Sequence, residues 1–186
     1  MFDHFNLLAS HYDRWLGQPD HRRLQELLRL PSDGWMLDAG GGTGRVSSLL
    51  RPLVGNLAVS DLSLNMLAEA RAKGKLNPLQ AHAESLPFPD VCFERVLVVD
   101  ALHHFCDQRK TLSELLRVLK PGGRLVIEEP NIHHGFVKII AILEKITLMR
   151  SHFYTPEAIQ RMITSHGFQA VIQDDDRLRA WIVVDK

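Results

Sequence analysis

Residues 35–46 read WMLDAGGGTGRV, and this stretch decides the fold. The apolar residues 35–37 predict a short buried strand. The glycines that follow allow a tight turn and a close approach of the backbone to a ligand, because no Cβ stands in the way. Apolar residues then recur at helical spacing from Val46 to Leu53, which predicts an amphipathic helix. A strand, a glycine loop and a helix in this order are typical of the nucleotide-binding end of a doubly wound α/β sheet.

The spacing of the glycines separates two classes of ligand. A dinucleotide-binding loop has the pattern G-x-G-x-x-G. Starting this pattern at Gly40 puts Arg45 where the third glycine should be, and later starts fail at Thr43 or Ser47. The spacing therefore argues against an NAD-type oxidoreductase, which stays the least favoured function.

The pattern that is present, Asp38-x-Gly40-x-Gly42-x-Gly44, resembles the first motif of class I S-adenosylmethionine-dependent methyltransferases. In that family the acid ends the first strand, and the glycines line the methionine and ribose parts of the cofactor. The resemblance implies that these four residues bind S-adenosylmethionine. A glycine-rich turn that binds nothing is the alternative.

A second acid, Asp61, follows a predicted strand at 57–60. It lies about 20 residues after the glycine loop, where nucleotide-binding α/β proteins place the acid that binds ribose. A carboxylate suits this task because it can accept hydrogen bonds from both hydroxyls of a diol. A structural role at the start of the next helix, which Ser63 is expected to cap, is the alternative. The resemblance places Leu62 and Met66 beside the adenine ring, with core packing as the alternative for both.

A third segment, HAESLPFPD at residues 82–90, follows a weak predicted strand at 78–81. It resembles the family's Asp-Ala-Glu-x-Leu-Pro-Phe segment, which implies that His82 and the backbone of Ala83 contact adenine. His82 stands where relatives commonly have an Asp. A neutral imidazole keeps one acceptor nitrogen, but the contact loses its charge and becomes sensitive to pH near neutrality.

Residues 95–99 predict a buried strand that leads into Asp100 and the pair His103–His104. Ligands of open parallel sheets bind outside the carboxyl ends of the strands, so these side chains are expected at the mouth of the site. Asp100 is predicted to contact the cofactor. His103 and His104 are candidate general bases, and a structural pair at the sheet edge is the alternative. No third ligand accompanies the two histidines, so no metal site is predicted.

The segment LKPGG at 119–123 is predicted to end a helix sharply and to precede a strand at 124–128. It resembles the corresponding segment of class I methyltransferases. Glu128 and Glu129 are expected at the carboxyl end of that strand, facing the acceptor. A helix opened by Thr155 and two closing strands, at 168–173 and 178–184, complete the predicted sheet. The acidic run 174–176 between those strands is predicted to be a hairpin turn.

Two helical segments lie outside the predicted sheet. Residues 1–30 predict a helical cap of two helices. In the first, Tyr12 resembles the family's Tyr-Asp element and would help cover the cofactor; a packed aromatic face is the alternative. In the second, Asp20 is expected to be the N-cap, and Leu24, Leu27 and Leu28 form the apolar stripe. Residues 131–154 are very apolar. The favoured interpretation is a lid or a wall of the acceptor pocket, with a buried helix and a membrane-touching surface as alternatives. Three histidines would line this wall: His133, His134 and His152.

Length, composition and net charge favour some classes of protein and partner over others. The 186 residues predict one domain, 1–186, with a real core. Lys+Arg and Asp+Glu balance at 22 each, so no electrostatic argument favours nucleic acid as a partner. Cys92 and Cys106 lack metal or redox spacing, which predicts buried free thiols in a reducing, cytoplasmic compartment. The sequence shows no signal peptide and no run of about 18 apolar residues, so stable membrane insertion is not expected.

The four separated segments together resemble class I methyltransferases, nearest to the group that includes the ubiquinone and menaquinone C-methyltransferases. The resemblance implies a Rossmann-like α/β fold with a seven-stranded, mostly parallel sheet and an antiparallel closing strand. It also implies methyl transfer from S-adenosylmethionine to a small-molecule acceptor by in-line displacement. The neutral net charge and the apolar insert favour an uncharged, apolar acceptor over nucleic acid. A non-catalytic binding or regulatory module with the same fold is the alternative.

Overall fold

The structure is a computed structural model that describes residues 20–133, 152–174 and 178–186. Several predictions concern other residues and lie outside the described part of the chain. They are the first part of the helical cap with Tyr12, most of the apolar insert with His134, and Asp175 and Asp176 of the acidic turn.

Strands and helices alternate along the described chain. The helices are α1 (His21–Leu28), α2 (Arg45–Leu50), α3 (Leu64–Ala72), α4 (Gln108–Val118) and α5 (Pro156–Ser165). The strands are β1 (Ser32–Ala39), β2 (Val54–Asp61), β3 (Asn77–Gln80), β4 (Phe93–Val99), β5 (Leu119–Pro130), β6 (Ala170–Asp174) and β7 (Arg179–Asp185). Short 3₁₀ turns follow α2 at Arg51–Leu53 and β4 at Leu102–His104.

The strands form one seven-stranded sheet in the order β3-β2-β1-β4-β5-β7-β6. The first five strands in this order pair in parallel, and β7 runs antiparallel to both β5 and β6. The predicted fold class is therefore confirmed. The order reverses between β1 and β4, and in such sheets this switch point is where the strand ends open a crevice for a ligand.

The sheet is covered on both faces, as the apolar strand β4 predicts. Successive side chains of a strand point to opposite faces. Val96 and Val98 therefore pack in one core cluster with α4 and α5. Leu97 packs in the other cluster with α1, α2 and α3. The sheet is thus a rigid platform that fixes where its loops emerge.

Three predicted helix starts are confirmed by side-chain caps. Asp20 Oδ1 accepts from the backbone N–H of Arg23 at 3.1 Å. Ser63 accepts from Met66 N, and Thr155 accepts from Ala158 N. Such caps stabilise a helix by about 1 kcal/mol each, because the first N–H groups of a helix have no partner within it.

Three local expectations were wrong. Trp35 is 42% exposed rather than buried, because in-register pairing of β1 with β4 begins only at Met36. Strand β5 begins at Leu119, since this residue already pairs with Phe93, and Gly122 and Gly123 bond to the backbone of Lys186 after β7. Cys106 is exposed and Cys92 half-buried, although both thiols are free as predicted.

Candidate functional site

An open cleft lies at the carboxyl ends of β1, β2 and β4, where the sheet order reverses. It contains about 1070 Å³ of empty space including its mouth, a size suited to a small-molecule ligand. Backbone and side chains from four loops line it: Asp38, Gly40, Gly41, Gly42, Thr43, Arg45, Val46, Ser60, Asp61, Leu62, Met66, Ala81, Ala83, Glu84, Val99, Asp100, Ala101, His104, Phe105 and Cys106.

The glycines of the first loop have two different roles. Gly40 and Gly42 line the cleft with positive φ angles of 73° and 54°. A Cβ on Gly40 would lie 2.7 Å from the Cβ of Ala101, so glycine is needed there for space as well as for conformation. Gly44 is not part of the cleft lining. It precedes α2, and a Cβ there would lie 2.6 Å from Leu76 Cδ1, so its role is packing.

Asp38 lies beneath the glycine loop and is almost fully buried. Ser47 donates its hydroxyl to Asp38 Oδ2 at 2.5 Å. Burial raises the pKa of the Asp38 carboxyl to about 6. The Ser47 hydrogen bond opposes this rise, and the nearby Asp61 carboxylate adds to it.

The raised pKa of Asp38 makes stability depend on pH. The folded protein binds this proton more tightly than the unfolded chain, so the stabilisation is full below about pH 4 and is lost as the pH rises through about 6. The loss amounts to about 3 kcal/mol, because each pKa unit corresponds to 1.36 kcal/mol. We therefore expect Asp38→Asn to gain about 2.5 kcal/mol relative to wild type between pH 4 and pH 7. Urea unfolding of both proteins at the two pH values measures this gain, and an unchanged difference would contradict it.

Asp61 ends β2 and links the glycine loop to α3. Its Oδ2 accepts from the backbone N–H of Gly42 at 2.9 Å, and its Oδ1 accepts from Ser63 N at 2.8 Å. The structural role that the sequence left open is therefore real. A carboxylate can accept about four hydrogen bonds, so this role does not prevent Asp61 from also accepting from ligand hydroxyls.

Only some of the residues that were predicted to contact adenine line the cleft on the wall after β2 and β3. Leu62 is 47% exposed and Met66 is buried, and both line the cleft together with Ala83. The side chain of His82 is 70% exposed and points its Nδ1 toward Glu84 Oε2 at 3.9 Å. His82 is not among the cleft residues. Its neighbour Glu84 lines the cleft, although it was not predicted to be a site residue.

On the other wall, the two predicted histidines differ sharply. His104 lines the cleft, whereas His103 is 3% exposed and lies behind it. Glu129 Oε2 accepts from His103 Nδ1 at 2.6 Å. The His103 ring packs between His104, at 4.0 Å between centroids, and Phe153, at 4.2 Å. Of the pair, only His104 can reach a ligand in the cleft.

The two glutamates lie at the carboxyl end of β5 as predicted, but the expectation that they face the cleft was wrong. Glu128 is buried on one face of the sheet, where it pairs with Arg179 and accepts from Trp181 Nε1 at 3.2 Å. Glu129 points the other way, as strand periodicity requires, but it binds the loop after β4 instead of facing the cleft. This alternation was the available sequence signal that the two acids have different partners.

His104 is a neutral ring at physiological pH. Burial lowers its pKa to about 3, and the neighbouring His103 contributes to this shift. We expect the imidazole resonances of His104 to show no titration between pH 5 and pH 8. Nuclear magnetic resonance with free histidine as a reference in the same tube measures this. A midpoint near pH 6.5 would contradict it.

Asp100 and the remaining histidines complete the neighbourhood. Asp100 lines the cleft and adopts a positive φ of 54°, an unusual backbone conformation that is common at functional sites. His133 Nε2 lies 3.1 Å from Glu157 Oε2 on the surface. His152 donates its backbone N–H to His103 O at 2.8 Å, which ties residues 152–155 to the cleft wall. Among the described residues, no group of acids, histidines and cysteines could hold a metal ion.

Comparison with known proteins agrees with this geometry. Residues 37–127 match the methyltransferase domain family, so the match contains the glycine loop, Asp61 and the loop after β4. Residues 37–127 therefore form a methyltransferase domain. Two curated relatives are ubiquinone/menaquinone biosynthesis C-methyltransferases, from Pasteurella multocida at 39% identity and from Erwinia tasmaniensis at 36%. Each alignment spans 104 residues and half of this chain, but only 39% and 41% of the respective relative.

Solved structures share the fold of this methyltransferase domain over most of its length. An S-adenosylmethionine-dependent methyltransferase from Thermotoga maritima aligns with a TM-score of 0.80 at 23% identity, over 98% of both chains. Geranyl diphosphate C-methyltransferase from Streptomyces coelicolor aligns with a TM-score of 0.75 at 15% identity, over 89% of this chain and 76% of that one. Within the described ranges, the domain has no helix of the length and apolarity needed to span a bilayer.

Proposed function

We propose that this methyltransferase domain binds S-adenosylmethionine in the cleft and transfers its methyl group to a carbon atom of a small-molecule acceptor. The charge of the cleft lining supports this ligand most directly. Four acids line it, Asp38, Asp61, Glu84 and Asp100, against one cationic side chain, Arg45. Such a lining favours a ligand that carries positive charge, such as a sulfonium with an ammonium group, over the anionic pyrophosphate of a dinucleotide.

The shape of the cleft suits the same cofactor. Gly40 and Gly42 leave backbone exposed at the floor, where an added Cβ on Gly40 would collide with Ala101. Asp61 stands beside Gly42, where it can accept from ribose hydroxyls. Leu62 and Met66 offer an apolar surface for a flat base. The predicted cofactor contact of His82 finds no such support, since this residue is not among those that line the cleft, and Tyr12 lies outside the described residues.

The sulfonium of the bound cofactor supplies an activated methyl group. The task left to this chain is to orient the acceptor in line with that methyl, and orientation alone can contribute roughly 7–11 kcal/mol. We place the acceptor beside His104 and Phe105, which line the cleft, and keep Asp100 as a predicted cofactor contact. Because the pKa of His104 is lowered to about 3, this ring is a weak base at neutral pH. We assign it the role of orienting the acceptor through a hydrogen bond.

The acceptor class follows from the curated relatives. Their C-methyltransferase activity in quinone biosynthesis, at 36–39% identity over half of this chain, suggests an apolar aromatic acceptor. The apolar segment 131–154 would supply a lid or a pocket wall for it, as the sequence analysis predicts.

Calorimetric titration tests the cofactor. We expect S-adenosylmethionine and S-adenosylhomocysteine to bind one site per chain, and NAD⁺ not to bind. Binding of NAD⁺ alone would overturn the proposal. Transfer of isotope-labelled methyl to a panel of small hydroquinones tests the reaction. Cofactor binding without transfer to carbon, oxygen or nitrogen of any acceptor would favour a non-catalytic module.

A further inference from the structure

The loop that forms one wall of the cleft, residues 101–107, is held at its start by a buried carboxylate. Glu129 Oε1 accepts from the backbone N–H groups of Ala101 at 3.1 Å and Leu102 at 2.8 Å. Its other oxygen accepts from His103 Nδ1 at 2.6 Å. Glu129 is 5% exposed, so these three donors would lose their partner without replacement by bulk water if the carboxylate were removed.

The same loop is held at its end by a second carboxylate, which comes from the opposite wall. Glu84 Oε1 accepts from the backbone N–H groups of Cys106 at 2.8 Å and Asp107 at 3.2 Å. Asp107 is the N-cap of α4, so a negative charge is also favoured here by the helix dipole. Glu84 follows β3 and belongs to the wall that carries Ala83, so its bonds cross from one wall of the cleft to the other.

The position of the 101–107 loop sets the width of the cleft. Ala101, His104 and Phe105 are its contributions to the lining. The Cβ of Ala101 and the ring of Phe105 lie so close to Gly40 that an added Cβ there would approach them to 2.7 and 2.9 Å. A displacement of the loop by a fraction of an ångström would therefore change the space above the glycine floor.

We propose that Glu129 and Glu84 form a two-point clamp on the 101–107 loop, and that they are positioning residues for the ligand of the cleft. Glu129 is not among the cleft residues, whereas Glu84 is one of the four acids that line the cleft, so its bonds to the loop are a second role beside its charge. The identity of the ligand rests on the proposed function, but the clamp itself does not.

A double-mutant cycle on affinity for S-adenosylhomocysteine tests the clamp. We expect Glu129→Ala and Glu84→Ala each to weaken binding about ten-fold. If both residues hold one segment, release of either end already frees the loop. Independent effects would multiply to a hundred-fold weakening in the double variant. We instead expect its affinity to stay close to that of either single variant. A hundred-fold weakening, or wild-type affinity in both single variants, would overturn the clamp.

Glu94→Ala is the matched control. Glu94 is also a half-buried glutamate with two partners, Ser32 Oγ at 2.9 Å and Lys120 Nζ at 3.3 Å. It lies at the beginning of β4, whereas the cleft lies at the end of that strand. This variant should lose stability without losing affinity.

Amide hydrogen exchange separates failure of the clamp from failure of the proposed function, because it needs no ligand. We expect Glu84→Ala to speed exchange of Leu102 N–H as well as Cys106 N–H, since freeing one end loosens the other. Faster exchange at Cys106 alone would overturn the clamp even if S-adenosylhomocysteine binds. Coupled exchange in a protein that binds no S-adenosylhomocysteine would keep the clamp and reject the proposed ligand.

Glu129→Gln provides a spectroscopic test that does not depend on the alanine variant folding. The amide oxygen can keep the bonds to Ala101 and Leu102, while the amide nitrogen then faces His103 Nδ1. Because the amide nitrogen donates, His103 Nδ1 must become an acceptor, and the ring must then carry its proton on Nε2. Nitrogen-15 resonances of the ring report this tautomer. An unchanged tautomer would show that Glu129 does not set the state of His103, against the proposed positioning.

Discussion

Replacing Asp61 with alanine is expected to weaken binding of S-adenosylmethionine about 100-fold or more. The variant would lose the acceptor proposed for the ribose hydroxyls, and each hydrogen bond to a charged acceptor contributes roughly 1.5–3 kcal/mol. Two such bonds at the lower limit correspond to a factor of about 150 in the dissociation constant. The variant also frees Gly42 N and Ser63 N, which the carboxylate binds at 2.9 and 2.8 Å, so the floor of the cleft loses its anchor.

Two further variants separate the causes of this effect. Asp61→Asn keeps one acceptor oxygen but removes the charge, so we expect an intermediate loss of about ten-fold. Asp20→Ala removes an aspartate that caps α1, which should reduce stability by about 1 kcal/mol and leave affinity unchanged. Calorimetric titration measures the affinity of Asp61→Ala, Asp61→Asn and Asp20→Ala for S-adenosylmethionine. Wild-type affinity of Asp61→Ala would show that the cofactor does not use this residue.

Replacing Gly40 with alanine is expected to destabilise the fold by about 2–5 kcal/mol and to weaken cofactor binding at least ten-fold. The backbone of Gly40 has a φ of 73°, which costs an L-residue roughly 1–2 kcal/mol. The added Cβ would also lie 2.7 Å from Ala101 Cβ and 2.9 Å from Phe105 Cζ. Forcing an extra methyl group into such a space costs typically 1–3 kcal/mol. It also pushes the 101–107 loop away from its place in the cleft wall.

Gly74→Ala isolates the backbone part of this prediction. Gly74 has a nearly equal φ of 70°, but an added Cβ meets no atom within 4 Å. This variant should lose only about 1–2 kcal/mol and should bind the cofactor as the wild type does. Urea unfolding and titration of the two alanine variants in parallel measure the difference. Equal effects at both glycines would rule out a steric role for Gly40.

The local sequence determined the elements and the floor of the site. Periodicity predicted the buried face of α1 at Leu24, Leu27 and Leu28, and an unbroken apolar run predicted β4. Glycine spacing and the distance to Asp61 predicted which strand ends meet at the cleft. These features depend on neighbours within one or two turns or on the known geometry of parallel strands, so a linear pattern carries them.

Only the tertiary structure decided the partners of the buried polar groups. His103 and Glu129 are 26 residues apart in the chain, and Glu84 and Cys106 are 22 apart. The sequence placed His103 and His104 together as bases, whereas the fold buries one against a carboxylate and leaves the other in the cleft. The fold also leaves the side chain of His82 exposed to solvent. Such choices depend on the register between strands and on the path of loops, because a shift of one residue turns a side chain to the opposite face.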